Sequence, residues 1–134
     1  MVRSMTAQNQ AAECRFHVLV AERDPFTRAL LRPVLEASFH VTWVEDGAAV
    51  IPAVRTHQPH VIVMELLLPH VDGFQLIQQL KTDPETRHIP ILVYTVLNVP
   101  ERVRRLGAEG FLLKPQRPFT VCQRIRSLLS AQED

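Results

Sequence analysis

The chain has 134 residues, a net charge of +1, an apolar fraction of 46% and a charged fraction of 22%. Those values describe one ordinary globular domain with enough chain to bury a core. Nothing in the charge balance calls for nucleic acid or an acidic membrane, and no apolar run approaches the roughly 20 residues of a membrane span.

Residues 1–13 carry Gln, Asn, Ser and Thr but no apolar signal core, so they read as a disordered tail. Residues 14–130 read as one domain and residues 131–134 as a C-terminal tail. Cys14 and Cys122 are far apart and fit no metal-ligand spacing. Two such thiols are expected to stay reduced, which points to the cytoplasm. His17, His40, His57, His60, His70 and His88 are scattered over strand ends and loops, with no ligand pair on one helix. No metal site and no cofactor are expected.

Phe16–Ala21 (FHVLVA) is a first strand. Asp24 is suited to cap a helix and Pro25 to begin it. That helix carries Phe26, Leu30, Leu31, Val34 and Leu35 at helical spacing, and Pro33 within it predicts a kink or an early end. His40–Val44 alternates as an edge strand does, with Trp43 a partly buried edge aromatic. Asp46-Gly47 is a turn, and Ala48–Thr56 a helix with Val50, Ile51 and Val54 inward and Pro52 near its start.

His60–Gly73 (HVIVMELLLPHVDG) organises the rest of the chain. Val61–Met64 is a strand buried on both faces, and Glu65 stands where it emerges. A carboxylate at the carboxyl end of such a strand lies where open α/β sheets place their sites. Asp72–Lys81 is a helix with Phe74, Ile77 and Leu80 on one stripe. Ile91–Tyr94 is a fourth strand ending in Thr95, Glu101–Leu106 a short helix ended by Gly107, and Gly110–Leu113 a fifth strand broken by Lys114-Pro115. Pro118 opens a last helix with Phe119, Cys122, Ile125 and Leu129 inward.

Five strands alternating with five helices predict a flavodoxin-like, doubly wound parallel sheet of order 2-1-3-4-5. That order brings Glu22, Arg23, Glu65 and Thr95 to one crevice, with Lys114 beside them. The first βα turn (AERDP) lacks the glycines of a phosphate or flavin loop, and no nucleophile–base constellation appears, so an enzyme is not expected.

With these positions assembled, the chain resembles the receiver domain of two-component response regulators from about Phe16 to Leu129. The resemblance rests on VLVAERDP, VIVMELLLPHVDGF, VYT and GAEGFLLKP, in that order and each at its expected place. It implies a phosphoacceptor Asp after the third strand, acidic Mg²⁺ ligands after the first, and Thr and Lys contacts to the phosphoryl group. It also implies a switching aromatic on the fifth strand. Thr95, Lys114, Pro69, Asp72 and Gly73 match that pattern, Phe111 fills the aromatic position, and Lys114-Pro115 matches a bond the family holds in cis. The chemical positions depart from it: Glu65 stands in the acceptor position, Glu22 in one acidic position and Arg23 in a metal-ligand position. The segment between Thr95 and Gly107 is short for the family.

Glu22 and Glu65 facing Arg23 and Lys114 balance in charge, so no divalent ion is needed. Mg²⁺ wants near-octahedral oxygen ligands at about 2.0–2.1 Å, and a guanidinium, always protonated, opposes it. Glu65 reaches one methylene further than Asp, and a nucleophile displaced by about 1 Å loses roughly 100-fold in rate. Glu65 is expected either to hold one state by mimicking a phosphoryl group toward Lys114 or Thr95, or to join Glu22, Arg23 and Lys114 in a structural ion cluster. The expectation is an atypical, stand-alone receiver that signals through protein partners, a histidine kinase or an effector in trans, independently of phosphorylation and Mg²⁺. The rivals are a phosphoacceptor using Glu65 and a small-molecule-sensing pseudo-receiver. Arg102, Arg104, Arg105, Arg124 and Arg126 on the last two helices, with the fifth strand between, mark a candidate partner or homodimer face. They lack the aromatic company of a nucleic-acid surface.

Overall fold

The computed structural model describes residues 16–133; residues 1–13 and Cys14 lie outside the described residues. Five parallel strands form one sheet of order β2-β1-β3-β4-β5. They are β1 (His17–Ala21), β2 (His40–Val44), β3 (Val61–Met64), β4 (Ile91–Thr95) and β5 (Gly110–Leu113). The helices between them are α1 (Pro25–Ser38), α2 (Val50–His57), α3 (Gly73–Thr82), α4 (Pro100–Arg105) and α5 (Pro118–Glu133). This is the expected flavodoxin-like topology.

Strand alternation divides the core in two. Leu19, Ile62, Met64, Ile91 and Val93 face one side, where Val50 and Val54 of α2, Leu76, Ile77 and Leu80 of α3 and Val103 of α4 cover them. Val18, Val20, Val61, Val63, Leu92 and Tyr94 face the other, under Leu31 and Leu35 of α1 and Val121, Cys122, Ile125 and Leu129 of α5. β3 is buried along its whole length, as its uninterrupted apolar run requires. β2 is only partly buried, as an edge strand is. Trp43 on it donates from Nε1 to Glu36 at 3.0 Å and lies under the Arg32 guanidinium.

Several local expectations give way to tertiary context. α1 runs unbroken through Pro33, because Pro33 and Ala29 both face solvent, where the carbonyl that proline leaves unpaired is open to hydration. Phe26 and Leu30, which share helical spacing with Leu31 and Leu35, are exposed, Phe26 at 70%. They lie on the first turns of α1, ahead of the stretch where Leu31 and Leu35 meet the sheet. Phe119, 60% exposed, opens α5 in the same way ahead of Cys122 and Ile125. Gly47–Ala49 forms a 3-10 turn, so α2 begins later than the sequence suggests, at Val50. α5 takes in residues 131–133, which the sequence assigns to a tail, and Gln132 donates its side-chain amide to the His60 carbonyl at 2.9 Å.

The loops that shape the crevice are held by capping bonds. Asp24 Oδ2 accepts the Thr27 N–H and hydroxyl at 3.1 and 2.6 Å, and Pro25 takes the first helical position. The Thr27 bonds hold the Asp24 carboxyl below its ordinary pKa. Asp72 Oδ1 caps α3 through the Phe74 N–H. α4 ends in paired bonds, Gly107 N–H to the Arg104 carbonyl and Ala108 N–H to the Val103 carbonyl, with Gly107 at φ 106°.

Candidate functional site: a crevice closed by a Glu-Lys-Glu bridge

The carboxyl ends of β1, β3, β4 and β5 meet at a crevice of about 620 Å³, lined by Glu22, Arg23, Asp24, Pro25, Thr27, Glu65, Leu67, Val96, Lys114 and Pro115. Backbone bonds fix its floor: Glu65 N–H to the Ala21 carbonyl at 3.0 Å, and Lys114 N–H to the Thr95 carbonyl at 2.7 Å. The Lys114-Pro115 peptide bond is cis, as the sequence suggests.

Lys114 is the centre of the site. Its Nζ donates to Glu22 Oε1 at 2.7 Å and to Glu65 Oε1 at 3.1 Å. The remaining carboxylate oxygens are satisfied by backbone: Glu22 Oε2 accepts the Asp24 N–H at 3.0 Å, and Glu65 Oε2 accepts the Leu66 N–H at 2.7 Å. Glu22 is 3% and Glu65 5% exposed. Burial by itself lowers the Lys114 pKa, but hydrogen bonds and charge from Glu22 and Glu65 outweigh it and leave the ammonium above its ordinary value. The result is a triad of two buried carboxylates, bonded at every oxygen, and one half-buried ammonium between them.

Two of the residues grouped with it by sequence behave differently. Arg23 is exposed at the mouth of the crevice and makes no ion pair or hydrogen bond among the described residues, so it is not part of the buried bridge. It follows the last strand bond of β1, and its side chain is turned out where Glu22 is turned in. Thr95 is fully buried, and its Oγ1 accepts the Leu97 N–H at 3.3 Å and not a bond from the Glu65 side of the crevice. Phe111 is half-buried against the core.

The Mg²⁺ site that the sequence resemblance implies does not fit these residues. Glu22 and Glu65 are each committed to Lys114 and to a backbone N–H, Asp24 is engaged by Thr27 at the start of α1, and Arg23 places a guanidinium at the mouth. No group of three or more His, Cys, Asp or Glu among the described residues is arranged to hold a metal ion.

The loop after β3 is built as its sequence pattern suggests. The Pro69 carbonyl accepts the Gly47 N–H at 2.9 Å, and His70 Nδ1 lies 2.6 Å from Asp46 Oδ2. Gly73 passes so close to Leu66 that a Cβ there would sit 2.5 Å from the Leu66 Cα. Tyr94 has a role that the sequence does not announce. Its hydroxyl accepts the Gln116 N–H at 3.0 Å, which ties β4 to the loop after Lys114. A tyrosine directly before the Thr that ends β4 was the only available signal.

The arginines expected on one face are divided. Arg102 stacks over Phe74 of α3, with its guanidinium carbon 3.6 Å from the ring centroid. Arg126 turns to Ser38 of α1 at 3.0 Å. Arg104 and Arg124 line a cavity of about 300 Å³ beside Phe111, and Arg105 is exposed. The reason is helical geometry: Arg124 and Arg126 stand two positions apart and point to different sides of α5.

Residues 18–126 match the family model described as the response regulator receiver domain. This chain is a receiver domain of the response-regulator family. The receiver is 33% identical over 102 residues to the polar-differentiation response regulator DivK of Brucella anthropi, an alignment covering 73% of this chain and 83% of that protein. Among solved structures it is similar to the receiver domain of a signal transduction histidine kinase from Syntrophus aciditrophicus. The TM-score there is 0.76 at 28% identity, over 87% of this chain and 91% of that one. It also superposes on the chemotaxis response regulator CheY4 of Vibrio cholerae with a TM-score of 0.77 at 24% identity, over 85% and 98% of the two chains, a likeness of fold.

Proposed function

We propose that this receiver signals by protein–protein contact, independently of Mg²⁺ and of phosphorylation at the acceptor position. One observation carries the reading: Lys114 bridges Glu22 and Glu65, so the group that would meet a phosphoryl oxygen is already neutralised by the residue in the acceptor position. Arg23 at the mouth adds a fixed positive charge where a metal ligand belongs. Phosphoryl transfer depends on metal and positioning for its charge stabilisation, and this crevice supplies neither. The Glu65–Lys114 bond serves either arrangement; the second Glu65 oxygen taken by the Leu66 N–H, and Thr95 engaged by Leu97, favour the structural ion cluster over a phosphoryl mimic. The partner is a protein acting in trans, a histidine kinase or an effector.

The test is a titration of isotope-labelled protein with Mg²⁺ and then beryllofluoride, following backbone amides. No saturable shift at Glu22, Glu65, Thr95 or Lys114 is expected. Saturable shifts there that spread to Phe111 and α4 overturn the reading and make Glu65 a working acceptor.

A further inference from the structure

Six histidines that look scattered in the sequence do not stay so. Four of them meet at the amino-terminal edge of the sheet, opposite the crevice: His17 opens β1, His40 opens β2, His57 ends α2 and His60 precedes β3. The His17 ring lies edge-on to His40 and to His57, with centroids 4.5 and 5.3 Å away. His17 Nε2 is 2.6 Å from Thr42 Oγ1.

His60 closes the group through two reciprocal bonds. Its Nδ1 accepts the His17 N–H at 3.0 Å, and its own N–H donates to the His17 carbonyl at 2.8 Å. Its carbonyl accepts the Gln132 side-chain amide from the end of α5, and its ring packs edge-on against Phe16. A nitrogen that accepts a hydrogen bond carries no proton, whereas imidazolium carries one on each nitrogen. Protonating His60 at Nδ1 therefore sets two N–H groups against each other and breaks the bond to β1.

We propose that the four-histidine cluster is an acid-released clasp that ties the start of β1 to the segment before β3 and, through Gln132, to the end of α5. The groups facing His17 are His40 from β2, His57 from α2 and His60 from the segment before β3; α5 contributes the neutral Gln132 through His60. No carboxylate acts on His17 among the described residues, so every proton added to the cluster repels the others. Burial holds the His17 pKa below its ordinary 6.5, and His40, His57 and His60 lower it further. A base whose pKa is lower in the folded state binds fewer protons there than when unfolded. The stability that the neutral His17 ring contributes to the cluster is then present above pH 6.5 and is lost as the pH falls below that value toward the lowered one. This device stands independently of the crevice at the other end of the sheet.

The test is amide hydrogen exchange at His17 in the full chain, corrected for intrinsic rate, from about pH 7.5 to about pH 5.5, the range histidine spans. Protection of the His17 amide should fall severalfold, while Val63 in β3 keeps its protection. His60→Asn places a non-titrating oxygen where Nδ1 accepts, and should make His17 protection independent of pH over the same range. A second measurement needs no variant: the His60 ring titration followed by NMR should have the same midpoint as the loss of His17 protection. A flat wild-type profile, a His60→Asn profile that still falls, or midpoints that do not coincide each overturn the proposal.

Discussion

Lys114 reaches back 92 residues along the chain to Glu22, and its Nζ donates to Oε1 at 2.7 Å. That bond joins the end of β5 to the end of β1 beneath the mouth of the crevice, and Glu65 joins it from the end of β3. The three residues close the site with the protein's own charges.

Removing the centre of that bridge is expected to be costly. Lys114→Met leaves Glu22 and Glu65 buried together without a cation, and breaking a buried ion pair from one side costs about 3–5 kcal/mol. Urea denaturation at neutral pH measures it. A loss below about 1 kcal/mol, the scale of a surface pair, sinks this account of the bridge.

Glu65→Gln is expected to be milder. Glu22 still neutralises Lys114, and the amide oxygen still accepts from Lys114 or from the Leu66 N–H. The amide NH2 then faces the other donor, so a loss of about 1–3 kcal/mol, smaller than for Lys114→Met, is predicted by the same denaturation assay. The paired change Arg23→Asp with Glu65→Asp should restore Mg²⁺-dependent amide shifts that neither wild type nor Glu65→Gln shows.

The raised Lys114 pKa sets the alkaline limit of the bridge. Burial lowers it, but the hydrogen bonds and charges of the two carboxylates raise it beyond that, so the folded value lies above 10.5. A raised pKa contributes stability that is fully present below the unfolded value of 10.5 and is lost as the pH rises through the folded one. The difference in denaturation midpoint between wild type and Lys114→Met should therefore hold steady up to pH 10.5 and shrink only above it.

Gly73→Ala tests the packing of the loop after β3. The added Cβ would lie 2.5 Å from the Leu66 Cα and 2.6 Å from its carbonyl oxygen, both backbone atoms that cannot step aside. Overpacking of this kind costs about 1–3 kcal/mol or more, read as a lower thermal midpoint. Stability equal to wild type would contradict the close approach.

Tyr94→Phe removes the acceptor of the Gln116 N–H in the loop after Lys114-Pro115. Gln116 is half-buried, so the unpaired donor costs about 1 kcal/mol, the low end for such a loss. The effect should be local, with faster amide exchange at Gln116 and unchanged protection in β3; uniform acceleration would mean a global role instead.

The strand order was legible because β3 could only be a central strand: four apolar residues buried on both faces leave no solvent side. The crevice residues were legible for the same reason, since parallel crossovers bring the carboxyl ends of β1, β3, β4 and β5 together whatever the helices do. Glycine and aspartate at helix ends also spoke locally, as Asp24, Asp72 and Gly107 did, because a cap depends on its own few neighbours. Where the helices begin to touch the sheet was not local. Phe26 and Phe119 have the spacing of core residues, yet they lie on first turns that run ahead of the contact with the sheet. Periodicity gives a face, and only the packed position of the helix says how much of that face is covered. Arg23 and Glu22 are neighbours in sequence, and the sequence placed both in the pocket. The last residues of β1 decide that one is turned inward to Lys114 and the other outward to solvent. Residue types told which charges the site could hold; three strand ends had to converge before Lys114 could choose its two partners. The histidine cluster belongs wholly to tertiary structure, because its four members come from two strands, a helix end and a loop that only the parallel sheet brings to one edge.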